Sequence, residues 1–235
     1  MAAILLLFTS LLLPLRTLGT DSAQNCSEKE GLAANRDAWT FLNETTTSYL
    51  VYRNFRNDSK YGNEEKCVKG MRTAINESDH WANMNMFFGN VSTPRFNVTF
   101  TATYNSTLQY YDNLTADASG IISYFMAQMA AARQSSQQTQ ASQQSASAAA
   151  GSAATSPQVP PMPFPILYFD PGRCAIVGVP HHVNETNNAT MACEVWKPEG
   201  TADTQDECCD SSFQKLCGGD NYTIYEDCTS TTNAA

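Results

Sequence analysis

From Phe96 to Asn105 the chain alternates with a period of two. Phe96, Val98, Phe100, Ala102 and Tyr104 share one side, and Asn97, Thr99, Thr101, Thr103 and Asn105 share the other. That pattern predicts a strand with one wet face. Two Asn-x-Thr/Ser acceptor sites, Asn97 and Asn105, lie on the polar side. A glycan must reach solvent, so the even-numbered residues are predicted to point inward. Shorter β-branched and aromatic runs at 48–55, 108–111, 121–125, 166–169, 175–179 and 191–196 read as further strands, and another begins near Cys67. Turn residues separate the early runs: Asn57-Asp58-Ser59 and Gly62-Asn63. Many short strands in succession predict an all-β meander that closes into a barrel or sandwich.

Two stretches carry a helical signal. Residues 37–42 read as a short helical turn entering the domain. Residues 208–217 place Cys209, Phe213 and Leu216 at i, i+4 and i+7, an apolar stripe ended by Gly218-Gly219. Six of the eight cysteines fall between Cys174 and Cys228, so this helix is expected to be stapled to the β-structure.

Two segments stand apart. Residues 4–15 form an apolar run of signal-peptide length, too short to span a bilayer, followed by the small-residue stretch Thr17-Leu18-Gly19. Residues 1–19 are therefore expected to be removed. Residues 127–163 are Gln, Ser and Ala with a Pro-rich end and one charge, Arg133. Such a segment has too little apolar variety to pack and reads as a disordered insertion at a hairpin tip. A single domain is left, made of residues 20–126 and 164–235.

Eight cysteines, an even number, suit an oxidising compartment. Glycosylation acceptors occur at Asn43, Asn57, Asn76, Asn90, Asn97, Asn105, Asn113, Asn184, Asn188 and Asn221, with Asn25-Cys26-Ser27 the weakest match. Both features predict a secreted protein. The formal charge is −9, and −10 once Arg16 leaves with residues 1–19. An acidic chain repels nucleic acid and anionic lipid and attracts cations, so neither nucleic acid nor membrane is expected as a partner.

Catalysis finds little support. The three histidines, His80, His181 and His182, lie in no zinc motif, and no nucleophile elbow or phosphate loop occurs. His181-His182, beside Pro180, is expected on an exposed loop. No metal or cofactor is expected.

Taken in order, several pieces resemble a known family, the tick salivary lipocalins, also called tick histamine-binding proteins. The pieces are Asp37-Ala38-Trp39, residues 49–55, Asn57-Asp58 followed by Gly62, Lys66-Cys67-Val68, Cys174-Ala175-Ile176, Glu194-Val195-Trp196 and Glu207-Cys208-Cys209. No single piece is specific, whereas the ordered set is. The resemblance implies an eight-stranded antiparallel lipocalin barrel with a C-terminal helix packed alongside, of the kind that holds one small ligand. It also implies disulfides joining Cys26 to Cys208, Cys67 to Cys228 and Cys174 to Cys209, leaving Cys193 for Cys217.

In that family, cationic amines are held inside the barrel by carboxylates and aromatic rings. An ammonium gains charge-assisted hydrogen bonds from Asp or Glu and cation–π attraction from ring faces. Carried over, the resemblance implies Phe55, Asp58, Tyr61, Glu194 and Trp196 as ligand contacts. Val195 replaces the family's leucine. Ala175 replaces an acid, and Thr45 stands where some members carry one, so one amine site is expected rather than two. Trp39 and Trp196 have a competing reading as barrel plugs, and Trp81 and Tyr104 read as lining or filling.

The leading expectation is a secreted, monomeric scavenger of a host amine, histamine or serotonin, that blunts inflammatory defence. The alternatives are a scavenger of leukotriene- or thromboxane-type lipid mediators, and a protein-binding inhibitor of complement or platelets acting through loops.

Overall fold

The structure is a computed structural model and describes residues 36–58, 64–117, 119–121, 123–124, 161–185 and 191–228. The segment 1–19, Cys26, Tyr61 and all but the last residues of the 127–163 segment lie outside them.

Eight antiparallel strands close into a barrel. They are β1 (Thr47–Arg53), β2 (Lys69–Asn76), β3 (Trp81–Phe87), β4 (Phe96–Asn105), β5 (Tyr110–Asp117), β6 (Met162–Asp170), β7 (Cys174–Gly178) and β8 (Cys193–Pro198). Each pairs with the next, and β1 closes the ring by pairing with both β8 and β2. A two-residue strand, β9 (Tyr222–Thr223), pairs with the last residues of β1, beyond the reach of β2. Closure leaves no free edge among the eight strands.

Helix α1 (Ala38–Glu44) plugs one end. Asp37 caps it, accepting from Thr40 N–H at 2.7 Å. Arg72 donates to the carbonyls of Leu42 and Asn43 at its other end. Trp39 packs edge-on against His80, and Phe41 against Phe169. Helix α2 (Glu207–Leu216) lies on the outside of the barrel. Asp206 caps it through Cys208 and Cys209 N–H, and Gly218 and Gly219, at φ +66° and +81°, end it in the left-handed region that glycine tolerates.

Alternation along β7 and β8 serves two cores at once. Ala175, Val177, Glu194 and Trp196 point into the barrel, while Cys174, Ile176, Cys193 and Val195 pack outward against Phe213. Disulfides Cys174–Cys209 and Cys193–Cys217 tie α2 to that outer wall, and Cys67–Cys228 ties down the C-terminal segment. These are three of the four pairings the resemblance implied. Cys208 is also disulfide-bonded, and its implied partner Cys26 lies outside the described residues.

Several sequence expectations need correction. The 121–125 run is helical where described, at 119–121 and 123–124, because a short apolar run does not distinguish helix from strand. A Cβ on Gly120 would meet Asn97 O at 2.2 Å, so this turn packs backbone to backbone on β4. Ser106 to Gln109 form a turn, so β5 starts at Tyr110 and not at 108. Met162 and Pro163, read as the end of the insertion, open β6. Strand β3 has no counterpart among the runs read as strands. In β4, Phe96, Val98 and Ala102 are buried as predicted, but Tyr104 is 54% exposed. The β4–β5 register shifts between Thr103 and Tyr104, and the tyrosine swings out to pack edge-on against Tyr111.

Candidate functional site

Inside the barrel is a cavity of about 90 Å³. One water needs about 10–15 Å³, so this is space for a compact molecule. Its walls are almost wholly apolar: Leu50, Val68, Met84, Met86, Phe88, Phe100, Leu114, Phe164 and Val177, with Phe41 and Leu42 of α1 on the side of the plug. The polar lining residues are few: Ser48, Arg53, Asp58 and Glu194, with the indole N–H of Trp196.

Arg53 reaches the interior through a bulge. Ser48 and Leu50 face inward at period two, which would next bring in Tyr52. The β1–β8 register shifts between Leu50 and Tyr52. Tyr52 therefore turns out to pack edge-on against Phe213 and donate to Asp210 at 2.6 Å, and Arg53 turns in. Arg53 pairs across the strands with Glu194, and Glu194 in turn sits opposite Val177.

Four charged or titratable side chains meet at this end. Asp58, 4% exposed, lies 3.6 Å from Arg53 Nη1 and 2.8 Å from His182 Nε2. Arg53, 2% exposed, also donates to the carbonyl of Arg56 and lies 4.8 Å above the ring of Phe55. His182 is fully buried in the 3-10 helix Pro180–Glu185 and stacks flat on Phe55, with centroids 4.7 Å apart. Glu194 accepts from Trp196 Nε1 at 3.0 Å. Burial, and then the charge of Asp58, push the Glu194 carboxyl up to about 7, against the opposing pull of Arg53, the Trp196 bond and His182.

The sequence-derived set thus divides. Asp58, Glu194 and Trp196 line the cavity. Phe55 is fully buried but is not among the lining residues; it supports His182 and Arg53. Tyr61 lies outside the described residues. Trp39, Trp81, Tyr104 and Thr45 do not reach the wall. Arg53 and His182 were missed. His182, expected on an exposed loop, is the correction: Phe55 and Asp58 give the ring a stacking surface and a charged acceptor, which makes burial favourable. No cluster of metal-ligating residues occurs among the described residues.

The arrangement is a binding cup with one polar end. Asp58 is already held by the chain's own cation and imidazole. Glu194 is held by a single indole N–H and feels Arg53 only through its field. The cup can accept a positive group there while burying an apolar body along its walls.

The family model for the tick histamine binding protein matches residues 26–230. The chain belongs to the tick histamine binding protein family. No individual curated protein matches it. Membership fits the closed eight-stranded barrel with its flanking C-terminal helix, and places the chain among ligand-binding lipocalins, not in an enzyme family. Among the described residues no helix is long and apolar enough to cross a membrane.

Proposed function

We propose that this chain is a secreted scavenger that sequesters a host biogenic amine, histamine or serotonin, inside the barrel and so blunts inflammatory signalling at a feeding site. One observation carries the reading: a buried carboxylate, Glu194, faces a compact apolar cavity with no ion-pair partner of its own among the described residues. A buried carboxylate left alone is costly, and a cation removes that cost. The ammonium bonds to Glu194, and Phe100, Phe164 and Trp196 offer ring surface to an aromatic body.

Secretion is supported by the disulfides and by the sequon positions. Asn43, Asn57, Asn90, Asn97 and Asn221 are exposed, and Asn76, Asn105 and Asn113 are partly so. Glycans there would leave the cup's interior untouched. The protein is proposed to act as a monomer, with no cofactor and no catalytic role.

A second reading rests on Arg53. A buried guanidinium on an apolar wall suits the carboxylate of a lipid mediator. The small cavity and the existing Arg53–Asp58 pair favour the amine. Isothermal titration of the deglycosylated protein with histamine, serotonin and a leukotriene separates the two. Amine binding tighter than about 10 µM, near −7 kcal/mol, is expected. Leukotriene binding with no amine response would replace the first reading by the second.

A further inference from the structure

The charge count at the polar end bears on which amine the cup takes, and this inference rests on the amine reading above. Four groups contribute. Arg53 and Asp58 are both buried and lie 3.6 Å apart, so they cancel. His182 also gives Nε2 to Asp58 at 2.8 Å, so that carboxylate is engaged from two sides. Glu194 is left as the carboxylate on the wall with no ion pair of its own among the described residues. The remaining wall offers carbon, apart from the hydroxyl of Ser48.

We propose that Arg53 is a specificity-determining residue, which by neutralising Asp58 limits the cavity to ligands carrying one positive charge on an apolar or aromatic body, and excludes dications.

The physical reason lies in what a second ammonium would meet. An ammonium at Glu194 restores neutrality. Any further charge on the ligand lies against Leu50, Val68, Met84, Met86 or Phe88 without a counter-ion, or close to the guanidinium of Arg53. Burying an unpaired charge is among the costliest changes a binding site can impose. Without Arg53, Asp58 would lose its guanidinium and keep the His182 bond, and the same cavity would accept a second ammonium more readily.

The test uses hexylamine and 1,5-diaminopentane, which are alike in size and differ by one methyl for one ammonium. Titrations are run at pH 8, where Glu194 is ionised, with histamine and phenethylamine as further monocations. The intact protein is expected to bind hexylamine and to bind the diamine at least about a hundredfold more weakly. In Arg53→Met that ratio should shrink by about tenfold or more. The double variant Arg53→Met/Asp58→Asn restores a single net charge and should recover the preference, which also covers the case in which Arg53→Met alone does not fold. Equal binding of the two amines by the intact protein overturns this inference and leaves the amine reading standing. Failure of every amine to bind overturns both. A double variant that folds and prefers the diamine overturns the role assigned to Arg53.

Discussion

The barrel's two ends each hold a histidine stacked on an aromatic ring, yet they do different work. At the plugged end His80 stacks on Tyr111, bonds its hydroxyl at 2.9 Å and meets the edge of Trp39. The cluster is partly open to solvent. At the other end His182 stacks on Phe55 with no exposure at all, and its partner is a buried carboxylate that also faces a guanidinium. The same ring is a packing element in one place and part of a charge network in the other. Burial of the carboxylates makes the difference, because electrostatic interactions strengthen as water is removed. The plugged end is built for stability. The polar end gives up stability to hold a carboxylate ready for a ligand.

That contrast is broken most severely by removing Arg53. Arg53→Met leaves Asp58 beside Glu194 with no guanidinium, and a buried charge stripped of its partner costs about 3–5 kcal/mol. Urea unfolding should show the midpoint fall by a corresponding amount. Adding Asp58→Asn should return most of it, since the orphaned charge is then gone. A single variant as stable as the intact protein would show that the polar end is far better solvated than its geometry indicates.

Legibility from sequence also differs between the ends and the walls. Glu194 and Trp196 came through resemblance, and Glu194 also stands out as an acid in an otherwise apolar run. The disulfides came through resemblance, and no spacing argument distinguishes among their pairings. Asp58 also came through resemblance, but it sits in a turn where a glycosylated outer loop competes as a reading. Arg53 was hidden by the Leu50/Tyr52 bulge, which reverses which residues face inward. A lone arginine beside two aromatics carries no signal of that reversal. His182 was hidden because its burial depends on Phe55 and Asp58, more than a hundred residues earlier in the chain. The inserted segment was readable as low complexity, but its end was misplaced, since prolines at 163 and 165 disguise the start of β6.

The next largest effect belongs to Glu194 and appears as pH dependence. Its carboxyl is raised from 4.5 to about 7 in the fold. Between those values the folded chain keeps a proton that the unfolded chain has released. The stability attached to this group is therefore fully present below about pH 4.5, declines as pH rises, and is lost by about pH 7, a change of ~3 kcal/mol. Glu194→Gln keeps an acceptor for Trp196 and carries no charge. The difference in unfolding free energy between the intact protein and this variant, without ligand, should thus shift in the variant's favour by that amount from pH 4 to pH 8. Taking the difference removes groups of opposite sign, such as Asp206, whose carboxyl burial would raise but whose bonds from Cys209 N–H and Arg173 hold below the usual range. Ligand binding runs the other way. A cation prefers ionised Glu194, so amine affinity should fall about tenfold per unit as pH drops below 7, and the Gln variant should bind amines about ten- to a hundredfold more weakly at pH 8. A stability difference that stays flat with pH would remove Glu194 from the buried site.

The smallest effect lies at the plugged end and serves as the control. His80 adopts φ +53°, a left-handed conformation that asparagine tolerates better than most residues. His80→Asn gives up the Tyr111 bond and the ring stack but eases the backbone, so the two changes oppose each other. The expected loss is about 1 kcal/mol by urea unfolding. Amine affinity and its pH dependence should not move, because neither His80 nor Tyr111 reaches the cavity wall. His182→Asn should differ on both counts. It removes the fully buried ring stacked on Phe55, and it takes an imidazole away from Asp58, which alters the charge that Glu194 feels. If the two substitutions changed affinity alike, the two ends would not be separate devices, and the polar network would have to extend the length of the barrel.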